Sequence, residues 1–291
     1  MSVVVIGAGG FLGSHLVAHF RACGETVHPL SYRPEHHQAF LDTFLELLKS
    51  AAPTAVICAG ASQNSRDDPA SLAELTLSNT VLPAAIASLL RDHAPACCLL
   101  TYGTSWQTGE SGAIEPFNAY AASKTAVEAF LEHFALAGVR SATLRLFDTY
   151  GPGDPRKKVV NLIADAIAQH SDLAMSPGRQ VIELVHIHDV VAATDVTLAL
   201  LRDRAPGRHL VYSVRSGEPV TILQVVDIML RVAGIDNADF IRPGVYSYRP
   251  RERFSLCADT PTPPGWAPRI PLDEGLRSLL DERRGRAGDG A

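Results

Sequence analysis

The run Gly7-Ala8-Gly9-Gly10-Phe11-Leu12-Gly13 near the start restricts the fold more than any other part of the chain. Before it, Val3-Val4-Val5-Ile6 is an unbroken apolar, β-branched stretch, the pattern of a strand buried on both faces of a parallel sheet. After it, His15-Leu16-Val17-Ala18-His19-Phe20 continues as a helix. The glycines therefore occupy a strand-to-helix turn. There the missing side chains let the backbone touch a pyrophosphate, and the helix N-terminus offers N–H groups and a partial positive charge to it. The commonest dinucleotide frame, G-x-G-x-x-G, would need glycine where Leu12 stands; Gly7, Gly10 and Gly13 make G-x-x-G-x-x-G instead. Gly7, Gly10, Phe11, Leu12 and Gly13 are the first candidate cofactor-binding residues.

Strand signals at 3–6, 26–30, 54–59, 96–102 and 142–147 alternate with helical patterns near 11–23, 38–50, 70–92 and 118–137. Alternation of this kind means a parallel sheet with crossover helices. The expected fold is α/β, a Rossmann-like doubly wound parallel sheet with a smaller, interwoven C-terminal substrate lobe. Past residue 150 the regularity loosens: Gly151-Pro152-Gly153-Asp154-Pro155 is a turn cluster, 157–170 reads as helix, 181–187 as strand, and 242–268 is rich in proline and arginine. The expected division is a nucleotide-binding domain over 1–147 plus about 184–212, and a substrate lobe over about 148–183 plus 213–280. The polar, glycine-containing tail 281–291 is expected to be disordered.

With 291 residues, 46% of them hydrophobic, the chain has enough apolar material for a large core. No apolar run approaches the roughly 20 residues of a membrane helix, and the N-terminus enters a strand without a signal-peptide block, so a cytoplasmic location is expected. A net charge of −5 with no basic block argues against nucleic acid as a partner. The five cysteines, Cys23, Cys58, Cys97, Cys98 and Cys257, are odd in number and scattered, which favours reduced thiols over disulfides. His36-His37 and His186-x-His188 lack further ligands at suitable spacing, so no metal is expected.

The second strand of a nucleotide sheet ends at the adenosine ribose, where an acidic residue selects NAD through the 2′-hydroxyl. Here Thr26-Val27-His28-Pro29-Leu30 ends in Ser31-Tyr32-Arg33. No carboxylate repels a 2′-phosphate, and a hydroxyl and a guanidinium stand in its place. Charge logic favours NADP(H) over NAD(H), with Ser31 and Arg33 as its contacts.

Tyr120 and Lys124 lie four apart among good helix formers and so share one helix face. Bringing a phenol from a pKa near 10 toward 7 requires roughly 4 kcal/mol of phenolate stabilisation, at about 1.4 kcal/mol per unit. An adjacent ammonium in a partly dry cleft supplies energy of that order. Only four lysines occur in the chain, which makes chance spacing a poor explanation. A third hydroxyl should hold the substrate carbonyl oxygen. Thr104, in Thr101-Tyr102-Gly103-Thr104-Ser105-Trp106-Gln107, is the first choice; Ser105 is its nearest rival, and Thr101 reads equally as a plain strand residue.

Together these residues resemble the extended short-chain dehydrogenase/reductases, the NAD-dependent epimerase/dehydratase family acting on nucleotide sugars, from residue 1 to about 280. Ala59-Gly60-Ala61 resembles a cofactor-side strand end of that family, and Asn79 falls where an asparagine usually sits in the following helix. Leu144 to Gly153 resembles its R-x-x-N-V-Y-G-P segment, Val185-His186-Ile187-His188-Asp189-Val190 its V-H-V-x-D-V strand, and Gly265-Trp266-Ala267-Pro268 its G-W-x-P. Residues 103–107 with 148–156 look most like reductases of nucleotide-linked 4-keto-6-deoxyhexoses, the CDP-abequose and CDP-paratose synthase type. The resemblance implies hydride transfer to C4, a proton from Tyr120, and Lys124 on the nicotinamide ribose. It also implies a homodimer joined by a four-helix bundle through 70–92 and 118–137. The family's third strand is hard to find between Arg33 and the helix at 38–50. Asp148 replaces a substrate-side asparagine, and Ile182 stands where an epimerase often has a diphosphate-binding arginine. Lys158 and Arg249 are the compensating candidates, with Ser105 and Trp106 at the sugar. The rival readings are an NAD-dependent epimerase, a 4,6-dehydratase, disfavoured because Thr104-Ser105-Trp106 offers no acidic pair, and a non-catalytic NADP-sensing regulator.

Overall fold

The computed structural model describes residues 1–64, 66–257 and 260–288, which form two compact units. One comprises Met1–Leu146, Val191–Val214 and a short segment ending at Trp266. Its chain runs β1 (Ser2–Ile6), α1 (Phe11–Ala22), β2 (Thr26–Leu30), α2 (His37–Ala51), β3 (Ala55–Cys58), α3 (Pro69–Thr76), α4 (Leu82–His93), β4 (Cys98–Thr104), α5 (Ala119–Leu136) and β5 (Arg140–Leu146). A last strand, Leu210–Val214, completes a six-stranded sheet in the order 210–214, β5, β4, β3, β1, β2, with every pairing parallel. Val3, Val4 and Val5 are wholly buried, as a central parallel strand requires.

The chain steps outward from β1 to β2, then returns to place β3 on the other flank of β1. The strand order reverses there, and the carboxyl ends of β1 and β3 flank the crevice where open α/β sheets bind ligands. No strand lies among the described residues between β2 and α2; a 3-10 turn, Pro34–His36, leads straight into the helix. Thus β2 is the sheet edge. Thr26 N–H and Leu30 C=O bond toward β1, so by alternation Pro29 faces outward, where its missing N–H leaves nothing for another strand to pair with.

On one face of the sheet, Val4, Ile6, Val56, Cys58 and Leu99 pack against Phe44 and Leu48 of α2, Ile86 and Leu90 of α4, and Val127 and Leu131 of α5. The helical run Pro69–His93 is 25 residues, long and apolar enough by composition to cross a bilayer, contrary to the sequence expectation. Its burial of Leu75, Leu82, Ile86 and Leu90 accounts for that composition. At Leu77–Val81 the run widens into a π-helix, a local irregularity common near functional sites.

Buried polar groups continue the same face. Thr101 Oγ1 donates to Ala142 O, so the Thr101–Thr143 contact (2.7 Å) has Thr143 as donor. His209 Nε2 then lies 2.9 Å from Thr143 Oγ1, and His209 Nδ1 2.8 Å from Ser141 Oγ. Burial pushes His209 down from 6.5 to about 4, against a hydrogen bond to the Ser141 backbone that favours the charged ring, with Arg145 adding to the downward push. The unfolded chain therefore binds the proton first: the contribution of His209 is complete above about 6.5 and is lost as pH falls toward 4. The loss reaches about 3 kcal/mol. Denaturant titrations should show the wild type losing about that much more stability between pH 7 and 4 than His209→Gln; equal pH slopes would contradict it.

The second unit comprises Phe147–Val190, Arg215–Cys257 and Ala267–Ala291, of which 289–291 lie outside the described residues. Its core joins three helices, Val159–Gln169, Ile222–Ala233 and Leu272–Gly288, through Ile163, Ile167, Val225, Met229, Leu276 and Leu279. Thr221 and Gln224 cap the second helix reciprocally.

Four boundaries differ from expectation. Residues 184–190 belong to the second unit because Leu184–His186 pairs with Asp148–Tyr150, and the division falls within the helix Ile187–Asp203. That helix begins at Ile187, so His188 and Asp189 are helical rather than part of a strand. Residues 281–288 are helical, not disordered: Leu276, Leu279 and Leu280 anchor the helix, Glu282 accepts from Gly153 N–H, and Arg283 donates to Asp154 O. The segment ending at Trp266 returns to the first unit, where Pro261 O accepts from Ser213 N and the Thr260 and Ser213 hydroxyls lie 2.6 Å apart.

Candidate active site

The glycine turn is built from backbone against backbone. Gly7 has φ +86°, a region open to glycine, and its N–H donates to Leu30 O at 2.8 Å. Ala59 and Gly60 both donate to Ile6 O at 2.9 Å, which clamps the ends of β1 and β3 together. A Cβ on Gly7 would overlap the Gly60 N and Cα atoms, and one on Gly13 would overlap the Gly7 carbonyl. Gly10 is the N-cap of α1, with no capping side chain and no acidic residue in the first turn. The helix thus presents its positive end to an anion without an internal competitor.

Beside this turn a cleft of 510 Å³ is lined by Ala8, Gly9, Ser14, Val17, Ala18, Arg21, Pro29 and Ser31. Its lining holds one guanidinium and no carboxylate. Arg33 lies two residues beyond Ser31, exposed and without a side-chain hydrogen bond or ion pair among the described residues. Arg21 was not legible as a cleft residue, since its place depends on how α1 lies along the sheet edge.

Tyr120 and Lys124 occupy consecutive turns at the start of α5, which Asn118 caps by accepting Ala121 N–H at 2.9 Å. Tyr120 is half-buried. Lys124 is 5% exposed, and its ammonium makes no hydrogen bond among the described residues. Burial pushes it down to about 8, with the Cys58 thiol acting in the opposite sense. Cys58, facing it from the end of β3, is pushed up to about 12 by burial. A buried cation without a hydrogen-bonding partner is costly and suits a site completed by ligand hydroxyls.

Thr104 ends β4 and caps the 3-10 turn Ser105–Gln107; its Oγ1 accepts Trp106 N–H at 3.3 Å and keeps its own proton to donate. Ser105 is 8% exposed, set deeper than Thr104. Trp106 packs on Phe117 with ring centroids 5.2 Å apart. Thr101 is a buried member of the hydroxyl chain to His209.

Asn79, expected at the cofactor, braces the surrounding elements. It is fully buried; its Oδ1 accepts Ser62 N–H, and its Nδ2 donates to Ser62 O and Ser123 Oγ, all at 3.0 Å. The π-helix turns it and Thr80 toward α5, where Thr80 Oγ1 donates to Ser123 O. Both amide protons are used, so the side chain ties the loop after β3 to the helix of Tyr120.

In the second unit Asp148 and Lys158 form an ion pair at 3.5 Å, with Lys158 32% exposed. Arg249 is exposed, and its side chain meets neither of them. Ile182 pairs with Val220 in a short antiparallel ladder.

The model of the NAD dependent epimerase/dehydratase family matches residues 3–213. CDP-abequose synthase of Yersinia pseudotuberculosis is 33% identical over 95 residues, 32% of this chain and 34% of the relative, so the chain matches about a third of its length. GDP-6-deoxy-D-mannose reductase of Pseudomonas aeruginosa is 25% identical over 300 residues, 97% of each chain. Among solved structures, RMD of Pseudomonas aeruginosa complexed with NADPH superposes with a TM-score of 0.80 at 22% identity, covering 98% of this chain and 99% of that one. UDP-glucose 4-epimerase of Thermotoga maritima with UDP-glucose superposes with a TM-score of 0.83 at 20% identity, covering 99% and 100%.

Proposed function

Since the chain belongs to the NAD dependent epimerase/dehydratase family, we propose that it is an NADPH-dependent reductase of the C4 ketone of a nucleotide-activated 4-keto-6-deoxyhexose. The observation that carries the reductive reading is the sheet edge. Ser31, the residue after β2, stands where an acid would select NAD, beside a carboxylate-free cleft that includes Arg21. An enzyme with net reduction gains from NADP(H) selectivity, whereas an epimerase that returns its hydride does not.

The residues fit the dinucleotide. Gly7, Gly10 and Gly13 with the uncapped start of α1 hold the pyrophosphate, alongside Phe11 and Leu12. Ala59, Gly60 and Ala61 would form the opposite wall, Ser31 and Arg21 of the cleft, with Arg33 beyond it, would meet the 2′-phosphate, and the buried Lys124 would meet the ribose hydroxyls. When bound, the reduced nicotinamide supplies the hydride that C4 receives. Tyr120 gives its phenolic proton to the C4 oxygen, and Lys124 stabilises the phenolate left behind. Thr104 donates a hydrogen bond to the same oxygen as it gains charge. Ser105, Trp106, Asp148, Lys158 and Arg249 are assigned to the nucleotide sugar.

The helix pair that leaves Leu72, Val81, Phe130 and Leu136 exposed at 42%, 38%, 50% and 70% supports a homodimer through a four-helix bundle. The proposed location is the cytoplasm.

Fluorescence titration tests the cofactor assignment: NADPH should bind at least about 10-fold tighter than NADH, and Ser31→Asp should reverse the order by setting a carboxylate against the 2′-phosphate. Tighter NADH binding by the wild type would favour the epimerase.

A further inference from the structure

Gln107 is completely buried in the 3-10 turn after β4. Its Oε1 accepts the Thr104 backbone N–H at 2.8 Å, and its Nε2 donates to Glu128 Oε1 at 2.9 Å. Arg145, on β5, reaches both oxygens of Glu128, through Nε at 3.0 Å and Nη2 at 2.6 Å. A carboxylate paired in this way offers only acceptors. Gln107 must therefore turn its amide nitrogen to Glu128 and its oxygen to Thr104, which fixes an amide orientation that is otherwise ambiguous. Glu128 lies one turn beyond Lys124 on the same helix, so the chain of bonds spans the elements carrying Tyr120, Lys124 and Thr104. No space remains for slack: a Cβ on Gly103 would overlap Gln107 Oε1 and lie 3.0 Å from Arg145 Cγ.

We propose that Arg145, Glu128 and Gln107 form a positioning relay that sets the Thr104 hydroxyl relative to Tyr120, a role that rests on the reductase reading for its chemical consequence. Apolar packing of a helix on a sheet tolerates small slides, whereas a bidentate ion pair joined to an oriented amide does not. The held Thr104 backbone lets its Oγ1 accept from Trp106 N–H, leaving the hydroxyl proton for a substrate oxygen. None of the three relay side chains needs to touch substrate.

Three variants test the relay. Gln107→Met keeps the volume and removes both amide bonds. Gln107→Glu sets two carboxylates against each other. The swap Gln107→Glu/Glu128→Gln removes the clash: the introduced amide donates to the introduced carboxylate and accepts from Arg145 Nη2, a single bond in place of the bidentate pair. Three-bond couplings to the Thr104 methyl should report one rotamer in the wild type, averaging in both single variants, and one rotamer again in the swap. Turnover of a 4-keto nucleotide sugar should follow, kcat falling about 10²-fold in the single variants with KM and cofactor affinity nearly unchanged, then recovering to within about 10-fold in the swap. A purely structural role would lower the melting temperature and leave kcat per folded molecule intact, which would overturn the proposal. So would a fixed Thr104 rotamer in Gln107→Met. Should that variant fail to fold, the swap against Gln107→Glu decides alone. A wild type inactive on every 4-keto substrate would refute the reductase reading, and the rotamer arm would still decide the relay.

Discussion

Tyr120→Phe should lower kcat for a 4-keto nucleotide sugar by about 10² to 10⁴ and leave the NADPH dissociation constant within about twofold. The substitution keeps the ring in the first turn of α5 and removes only the O–H. Lys124→Met gives a different signature. Its ammonium is buried without a hydrogen bond and held down to about 8. Methionine keeps an unbranched stem while relieving the desolvated charge, so this variant should melt at a higher temperature, with a gain of about 1 to 3 kcal/mol at pH 7. It should lose cofactor affinity and turnover together, because the ribose contact and the phenolate partner disappear at once. Activity at the expense of stability is the mark of a functional lysine; a Lys124→Met protein that is both less stable and fully active would contradict the assignment. Unchanged kcat in Tyr120→Phe would remove the phenol from the chemistry.

The second large effect is expected at the first glycine. Gly7→Ala adds a methyl at φ +86°, where it meets Gly60 backbone atoms that no side-chain rotation clears. The ends of β1 and β3 must separate or the turn must refold, at a cost of about 3 to 5 kcal/mol. That is a large part of the roughly 5 to 15 kcal/mol that holds a domain together. NADPH binding should be abolished along with much of the stability. Gly9→Ala is the stability control, because nothing lies within 4 Å of the added methyl. Its melting temperature should match the wild type, and a fully stable Gly7→Ala would contradict the stacked-backbone account.

What could be read from the sequence follows from how local each signal is. Val3 to Ile6 and the glycines at 7, 10 and 13 specify a buried strand, a tight turn and a helix start within one stretch, and the strand, turn and helix appear there. Tyr120 and Lys124 needed only the helical period. The end of β2 was legible because Pro29, Ser31 and Arg33 lie within one five-residue stretch. The relay residues Gln107, Glu128 and Arg145 come from three elements, and only the sheet register that sets Gly103 opposite Arg145 brings them together. The one hint was spacing: Lys124, Glu128 and Glu132 repeat every four residues along α5, and Glu132 accepts His209 N–H at 2.9 Å. The bracing bonds of Asn79 depend on a π-turn that no residue pattern announced. The tail misled because polar, charged residues outnumber the leucines that anchor its helix.

The central claim is most directly tested by NADPH oxidation against a panel of nucleotide-linked 4-keto-6-deoxyhexoses, with the C4 configuration of the product read by NMR. The account predicts stoichiometric NADPH consumption, one C4 epimer from the accepted substrate, and loss of both in Tyr120→Phe. Interconversion of C4 epimers of a nucleotide hexose with no net NADPH consumption, supported by bound NAD, would contradict it.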